Sequence, residues 1–354
     1  LQNNVKPLDL PLGIGSYQPF SAMQTDTLGY ADSKSMSNYL LALLDAAGIK
    51  AQYALINAGK FATSLEEDLP GAQFNRAIVA VPMENDTLWL DAMQQEHPAG
   101  FLGYELSDRK VLLISNKGGK MVSIPALSAE QNRQFRTAKI KVQEDGTARA
   151  VVDTYFEGMQ YSHISSLMLI PPFQQEQVIY RKTNIENFEL LSFSYNQQQK
   201  QIGPQIRETL ELQLDQFART GPNSLSFVPN LMNQMDGLPP ITKHREYPVV
   251  IRRSFLDRDI LEYELPPHEE IRLPDDAHIT SEFGEYRLKL SVQSGKLVYE
   301  RTLKTCQGTY PATAYGKLME FYESIIMADQ RKVLLYGVNE REAQTESSDA
   351  SSLR

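Results

Sequence analysis

The spacing of apolar side chains predicts a well-defined helix early in the chain. Between residues 36 and 47, apolar side chains recur at steps of three and four, at Met36, Leu40, Leu43, Leu44 and Ala47. This spacing places them on one face of an α-helix. Asp32 is suited to be the N-cap, because its carboxylate can accept from backbone N–H groups of the first turn, and Gly48 is suited to end the helix.

Short β-strand patterns follow this helix. The runs at 51–56 and 112–114 predict single strands, and the runs at 77–82 and 87–91 predict a hairpin, because the polar turn 84–86 separates them. The segment 12–19 is expected to be a loop, since it contains two glycines and a proline. Helix and strand signals are therefore mixed over residues 1 to about 125.

From residue 126 onward, alternation of apolar and polar residues dominates. Strands are expected at 138–142, 148–155, 189–195, 208–214, 247–252, 260–265, 286–292 and 296–303. The dipeptide Asp145-Gly146 predicts a tight hairpin between the first two. The glutamine-rich run 197–201 is expected to be a solvated loop. One late helix is predicted at 315–326, followed by a strand at 332–336. Many short strands with regular turns are typical of a β-sandwich.

These patterns predict an α+β fold with a mixed domain at 1–125 and a β-sandwich-type region at 126–338. A division of the second region into two subdomains near residue 255 is left open. Residues 339–354 are rich in serine and acidic side chains and are predicted to be a disordered tail. The chain begins with leucine and shows no leader pattern, so we expect it to be a piece of a longer precursor.

Composition and charge exclude several kinds of partner. The 354 residues carry a formal net charge of −9, and no basic stripe suited to phosphate is present, so nucleic acid is not expected. No apolar run approaches the roughly 20 residues that span a bilayer. The single cysteine, Cys306, permits no intrachain disulfide, and the five histidines lack the spacing of a metal site. No metal or other cofactor is therefore expected.

Five blocks of residues resemble those of bacterial transglutaminase-like proteins, in the same order along the chain. They are 12–15, 29–34, 47–49, 74–76 and 89–91. The resemblance covers about residues 1–115 and implies a papain-like fold, in which the second, fourth and fifth blocks carry a catalytic cysteine, histidine and aspartate. In this chain Ser33, Arg76 and Asp91 stand at those positions, and Ala31 replaces a glycine. The resemblance further implies that Gln18 matches an oxyanion-hole residue.

The residues at these three catalytic positions are poorly suited to the reaction. Ser33 stands at a helix start, and Arg76 and Asp91 lie on neighbouring strands, so their side chains can face one site. A serine hydroxyl ionises far less readily than a thiol, and a helix dipole worth about 1 kcal/mol does not close that gap. A guanidinium stays protonated and cannot act as a base. We expect Arg76 to form a bidentate ion pair with Asp91 instead.

Other side chains offer alternatives that the pattern favours less. His97 is the only histidine of the mixed domain, in a turn-like segment beyond Asp91. Cys306 is expected to be a strand-end residue, because nothing nearby in sequence would activate its thiol. Trp89 is interpreted as a core residue beside the site, with substrate stacking as the alternative. The candidate binding residues are therefore Gln18, Asp32 and Trp89.

The resemblance also implies companion domains and a location. Members of this family carry β-sandwich domains of unknown function beside the catalytic domain and are commonly exported, which implies the periplasm or cell envelope. Our first hypothesis is a catalytically inactive protein that binds a peptide or protein, or acts as a scaffold. The alternatives are a hydrolase or amidase that uses Ser33 with a base from elsewhere, and a structural spacer. The sequence leaves the ligand and the oligomeric state open.

Overall fold

The computed structural model describes residues 1, 3–9, 18–59, 62–63, 65–69, 71–95, 97–200, 203–235, 237–238, 240 and 245–338. Most of the expected loop at 12–19 and the predicted tail at 339–354 lie outside these residues. Among the helices that are described, none is both long and apolar enough to cross a membrane.

The first region, residues 1–125, is built around one antiparallel sheet. Its elements are β1 (Lys6–Pro7), α1 (Ala22–Leu28), β2 (Tyr30–Ala31), α2 (Ser33–Ala46), β3 (Gln52–Ile56), β4 (Arg76–Pro82), β5 (Thr87–Leu90), α3 (Gly103–Leu106), β6 (Arg109–Ser115) and β7 (Gly118–Ile124). In the described part of the chain the sheet order is β5-β4-β3-β6-β7, with every pair antiparallel. The short strands β1 and β2 pair in parallel beside it.

Helix α2 packs against β4 and begins where the sequence predicts. Asp32 is its N-cap and Ser33 its first residue. The adjoining sheet has a core that includes Ile56, Ile78 and Trp89, all buried. Each such side chain contributes about 1.5–3 kcal/mol when it is removed from water. The sheet therefore fixes the position of β4 firmly, and the start of α2 is set against a rigid strand.

The second region, residues 126–338, holds the remaining elements. They are β8 (Arg133–Val142), β9 (Ala148–Glu157), α4 (Met159–Ser165), α5 (Pro172–Lys182), β10 (Phe188–Lys200), β11 (Gly203–Leu214), β12 (Arg219–Gly221), β13 (Ser224–Phe227), β14 (Val249–Ile251), β15 (Phe255–Glu264), β16 (Glu270–Arg272), β17 (Ala277–Ser281), β18 (Gly284–Gln293), β19 (Lys296–Thr305), β20 (Gly308–Tyr310), α6 (Tyr315–Asp329) and β21 (Val333–Tyr336). Single 3₁₀ turns occupy Ser166–Leu169 and Ala312–Ala314.

A long sheet dominates the second region. Over the described residues its order is β10-β11-β9-β8-β15-β19-β18-β17, antiparallel except where β8 and β15 pair in parallel. Because β15 begins at Phe255, this sheet continues across the position of the proposed subdomain break. The domain boundaries themselves stay a prediction.

A smaller sheet and the last helix complete the core of the second region. The small sheet has the order β12-β13-β21-β16 within the described chain, and β14 pairs separately with β20. Leu225 and Leu335 of the small sheet share one buried cluster with Leu212 and Leu261 of the long sheet and Ile325 of α6. Mixed helices and sheets with a late helix confirm the α+β fold class.

The predicted late helix is present as α6, and two helices that the sequence did not predict, α4 and α5, lie between β9 and β10. One expectation about the second region is wrong. The glutamine-rich run is not a loop, because β10 continues to Lys200, which pairs with Gly203 in a long hairpin. Backbone pairing tolerates polar side chains on an exposed hairpin.

The turn into α4 is made at Gly158, where φ is 59° and a Cβ would lie 2.3 Å from the carbonyl oxygen of Gln131.

Candidate functional site

The N-terminus of α2 presents the first group of candidate residues. The Asp32 carboxylate accepts a hydrogen bond from the backbone N–H of Ser35 at 3.0 Å and pairs with the buried ammonium of Lys34. Burial raises the pKa of Asp32, but these two contacts outweigh it, and the net pKa lies below the ordinary value. Asp32 is therefore an ionised helix cap that is already engaged by its own helix.

Ser33 joins the start of α2 to β4. Its side chain is buried, with 5% of the residue exposed, and its Oγ accepts a hydrogen bond from the backbone N–H of Ala77 at 3.2 Å. Next to it, Tyr53 donates its hydroxyl proton to the carbonyl oxygen of Lys34 at 3.3 Å. The oxygen at the nucleophile position thus holds a helix and a strand together.

Arg76 lies at the start of β4, beside Asp91 at the end of β5, as the hairpin predicts. Its Nη1 donates to Asp91 Oδ2 at 3.1 Å and to Glu105 Oε2 at 2.7 Å. The expected ion pair is present, but it is not bidentate, because one nitrogen serves two carboxylates. The other Asp91 oxygen, Oδ1, accepts from the backbone N–H of Met93 at 2.9 Å.

Burial changes the pKa values of Arg76 and Asp91 in opposite directions. Desolvation lowers the pKa of Arg76, but the nearby Asp91 and Glu105 carboxylates raise it above its ordinary value overall. Burial raises the pKa of Asp91 above its ordinary value, although Arg76 acts against this rise. Arg76 therefore stays charged and is required to keep the buried Asp91 carboxylate ionised. We call Arg76, Asp91 and Glu105 the Arg76 cluster.

Glu105 is the functional-site residue that the sequence did not indicate. It stands on the four-residue helix α3, well beyond both hairpin strands, and Gln94 donates to the same Oε2 at 3.0 Å. Its side chain is 22% exposed, so one edge of the cluster reaches solvent. The sequence offered no signal for it, because α3 is placed by its tertiary contacts.

Trp89 is a core residue, and it also forms one wall of a cleft. The cleft has a volume of about 1040 Å³ and lies between β5, the segments 98–103 and 124–127, and the adjoining ends of β9 and β11. Among the described residues that line it are Leu88, Phe101, Arg133 and Gln205. Ser33, Arg76 and Asp91 do not line this cleft. The candidate catalytic positions therefore lie outside the cleft that Trp89 lines.

Gln18 lies on an exposed segment that is attached to α2. Two residues further on, the backbone N–H of Phe20 donates to Ser35 Oγ at 3.0 Å, and Asn38 donates back to the Phe20 carbonyl at 2.9 Å. The segment thus runs along the first turns of the helix that carries Ser33. A role for Gln18 in an oxyanion hole stays a prediction.

His97 and Cys306 occupy different parts of the molecule. His97 Nε2 lies 3.2 Å from Ser165 Oγ of α4, and its ring packs edge-on against Phe101 at 5.0 Å. It therefore belongs to the contact between the two regions. Cys306 follows β19 directly, and its backbone N–H donates to the Phe283 carbonyl at 2.8 Å. In the described chain, no group of three His, Cys, Asp or Glu side chains could hold a metal ion.

The comparisons with known proteins give a family match over part of the chain and distant structural likenesses. Residues 223–335, from β13 into β21, match a family described as a domain of unknown function with a solved structure (DUF3858). A comparison with curated proteins gives no match. A solved structure described as a putative protease from Parabacteroides distasonis aligns with a TM-score of 0.46 and 14% identity, over 94% of this chain and 49% of that one. This chain thus spans about half the length of that protein.

Proposed function

We propose that the first region is a catalytically inactive transglutaminase-like domain of papain-like fold, and that the protein binds peptide or protein segments as a scaffold in the bacterial envelope. The engagement of Asp91 is the observation that carries this proposal. In thiol enzymes of this kind a carboxylate orients the histidine base. Here that carboxylate is bound by Arg76, whose guanidinium cannot accept a proton.

The surroundings of Ser33 support the same conclusion. A serine hydroxyl attacks a carbonyl only when a neighbouring base takes its proton. The Ser33 oxygen already accepts the Ala77 N–H, and the adjacent Lys34 ammonium is paired with Asp32. A protonated lysine in an ion pair has no lone pair to offer. Neither of these neighbours can therefore activate Ser33.

The cleft beside Trp89 supports a binding role. At about 1040 Å³ it is at the upper end of the size range of ligand pockets, which run to about 1,000 Å³. Its walls combine apolar side chains, such as Leu88 and Phe101, with polar ones, such as Gln205. The strand β5 on one wall is also an edge strand of the described sheet. An edge strand can accept an extended peptide through backbone hydrogen bonds.

Turnover assays test the catalytic half of the proposal. Wild type and Ser33→Ala are assayed against peptide amides, peptide esters and glutamine-donor substrates. Both are expected to show the background rate, because no base is available at position 76. Turnover by wild type that disappears in Ser33→Ala would instead establish the alternative, a hydrolase or amidase that uses Ser33.

Peptide binding tests the other half. A labelled peptide library is screened against wild type, Leu88→Asp and Val151→Asp. Leu88 lines the cleft, whereas Val151 is a similarly exposed apolar residue on β9 and outside the cleft lining. Peptides selected by wild type are expected to bind Val151→Asp equally and Leu88→Asp at least tenfold more weakly. Equal binding to all three proteins would place the ligand elsewhere.

The proposed location is tested by expressing the natural gene in a bacterial host. Cell fractionation is expected to place the protein outside the cytoplasm. Recovery in the cytoplasmic fraction alone would contradict the envelope assignment without affecting the binding assays.

A further inference from the structure

Three arginines meet where the first region contacts the second. Arg109 begins β6, whereas Arg252 and Arg253 lie between β14 and β15. The Arg253 guanidinium lies over the Tyr104 ring of α3, 5.2 Å from its centroid, and the His163 ring of α4 lies 5.3 Å from the same ring. We call Tyr104, Arg109, His163, Arg252 and Arg253 the basic seam.

Hydrogen bonds hold the two sides of the seam in place. Gln307 donates its backbone N–H to Ser254 Oγ at 2.9 Å and its side-chain amide to Asp108 Oδ2 at 2.5 Å. Ser254 follows Arg253 and Asp108 precedes Arg109, so one residue fixes both arginine-bearing segments. Arg109 is itself anchored, because it donates to the carbonyl oxygens of Ala62 at 2.9 Å and Gly59 at 2.7 Å.

The seam carries more positive than negative charge, since its three arginines outnumber the neighbouring carboxylate of Asp108. Some arginines elsewhere in the described chain are paired with acids, as are Arg133 with Glu157 and Arg207 with Asp153. No ion pair joins any of the three seam arginines to a carboxylate of the described residues, and neither Arg252 nor Arg253 donates a side-chain hydrogen bond within that part of the chain. The seam is therefore a local concentration of positive charge on a protein of net charge −9.

The charges also act on one another. Burial lowers the pKa of Arg109 and of Arg253, and the neighbouring Arg252 lowers both further, although Asp108 acts against this at Arg109 and Tyr104 does so at Arg253. An anion placed among them would remove this repulsion. Each guanidinium carries five N–H donors in a planar fork that matches a carboxylate, and the exposed Arg252 and His163 leave the seam open to solvent.

We propose that the basic seam binds an acidic peptide segment, with the carboxylates of two or more aspartate or glutamate side chains bound by Arg252 and Arg253, while the anchored Arg109 adds positive charge beside them. A short acidic segment is favoured over a long polyanion, because a long chain of negative charge would also meet the acidic remainder of the surface. No seam residue belongs to the Arg76 cluster or to the cleft lining, although Tyr104 lies between Gly103 of the lining and Glu105 of the cluster on α3. The proposal therefore extends the proposed function, and its test uses Arg252 and Arg253, which belong to neither.

Binding of fluorescein-labelled hexaglutamate tests this proposal, with hexaglutamine as the uncharged control peptide. The test variant is Arg252→Gln/Arg253→Gln. The control variant is Arg149→Gln/Arg219→Gln, which removes the same charge from exposed positions on β9 and β12. Hexaglutamate is expected to bind wild type and the control variant alike. It is expected to bind the test variant at least tenfold more weakly, and salt is expected to weaken wild-type binding.

The contrary outcomes are equally specific. Absence of hexaglutamate binding to wild type, equal loss in both variants, or equal binding of hexaglutamine would each overturn the proposal. A sulfated hexasaccharide that binds through Arg252 and Arg253 while hexaglutamate does not would also overturn it, in favour of an acidic glycan. Circular dichroism of both variants checks that the loss of binding is not a loss of fold. If the peptide library showed no binding that depends on Leu88, the proposed function would fail but the hexaglutamate result would still stand, because Leu88 lies outside the seam.

Discussion

Two ionic clusters, one in each region, use the same kinds of side chain in different ways. In the second region Arg301 is 2% exposed and donates to both oxygens of Asp329, at 2.9 and 3.2 Å. In the first region Arg76 offers one nitrogen to Asp91 and Glu105 together. We call Arg301, Asp259 and Asp329 the Arg301 cluster. It is closed to solvent, and Arg301 binds Asp329 through two hydrogen bonds. The Arg76 cluster is partly open and has one more negative than positive charge.

The Arg301 cluster also follows the register of the long sheet. Side chains directly opposite one another on five successive strands form a buried polar row: Glu208, Thr154, Arg136, Asp259 and Arg301. Arg136 donates to Thr154 at 3.1 Å and to Asp259 at 3.3 Å, and Asn233 donates to both Asp259 oxygens. A slip of one strand would leave these charges unpaired in the core. We infer that the row specifies strand alignment.

The two clusters differ in the features that distinguish a structural ion cluster from a candidate site. A structural cluster satisfies every charge with two or more partners and excludes water. The Arg76 cluster shares one donor, retains 22% exposure at Glu105, and lies beside the helix start that carries Ser33. Under the proposed function, the Arg76 cluster occupies the place of a catalytic base and its carboxylate.

The largest effect is expected from removing the centre of the closed cluster. Arg301→Met leaves Asp329 and Asp259 buried without their cation, which should lower the free energy of unfolding by about 3–5 kcal/mol. Urea denaturation measures this, with Arg287→Met as the control, because Arg287 is 64% exposed and its ion pair contributes little. A loss below about 1 kcal/mol in Arg301→Met would show that the network is not required for stability.

A smaller loss is expected in the open cluster. Arg76→Met should lower the free energy of unfolding by about 2–3 kcal/mol at pH 7, since Asp91 stays buried while Glu105 can turn to solvent. Loss of Arg76 raises the pKa of Asp91 further. The folded state then gains from protonation of Asp91, so the deficit should shrink as the pH falls towards 4.

A second variant isolates the cause of that deficit. Arg76→Met/Asp91→Asn also removes the buried carboxylate that Arg76→Met leaves without a cation, so it should recover most of the lost stability at pH 7. The asparagine amide can still accept the Met93 N–H. If the double variant is no more stable than Arg76→Met, the loss arises from packing rather than from charge.

Asp257 provides a test at the edge of the closed cluster. Burial raises its pKa to about 6, and a hydrogen bond from Gln160 acts against the rise. Because the folded pKa lies above the ordinary value of 3.8, ionisation of Asp257 costs stability as the pH rises through 6. Asp257→Asn should therefore stabilise the protein by about 3 kcal/mol at pH 8 and by less than about 1 kcal/mol at pH 4. The exposed Asp215→Asn serves as control, and a gain that does not depend on pH would contradict the assignment.

The sequence predicted the parts of the site that are local and missed those that depend on packing. The helical spacing of apolar residues predicted α2 and its cap Asp32. The hairpin pattern predicted that Arg76 and Asp91 would lie together. Glu105 could not be found, because α3 has only four residues and is placed by its contacts. Helix α4 was missed because it packs against both regions, so its apolar residues form no single stripe. Asp329 reaches Arg301 from α6, across 28 residues without a local signal.

The smallest predicted effect bears on whether Ser33 is a structural or a catalytic residue. Ser33→Ala leaves the Ala77 N–H without an acceptor in a buried place, so the free energy of unfolding should fall by about 1 kcal/mol. Ser37→Ala is the matched control on the same helix. Its Oγ is buried and has no hydrogen-bond partner in the described chain, so its removal should cost less than about 0.5 kcal/mol. Equal effects of the two changes, measured by urea denaturation, would mean that Ser33 contributes nothing to the joint between α2 and β4. The hydroxyl at position 33 would then lack a structural reason, and a catalytic role for Ser33 would regain weight.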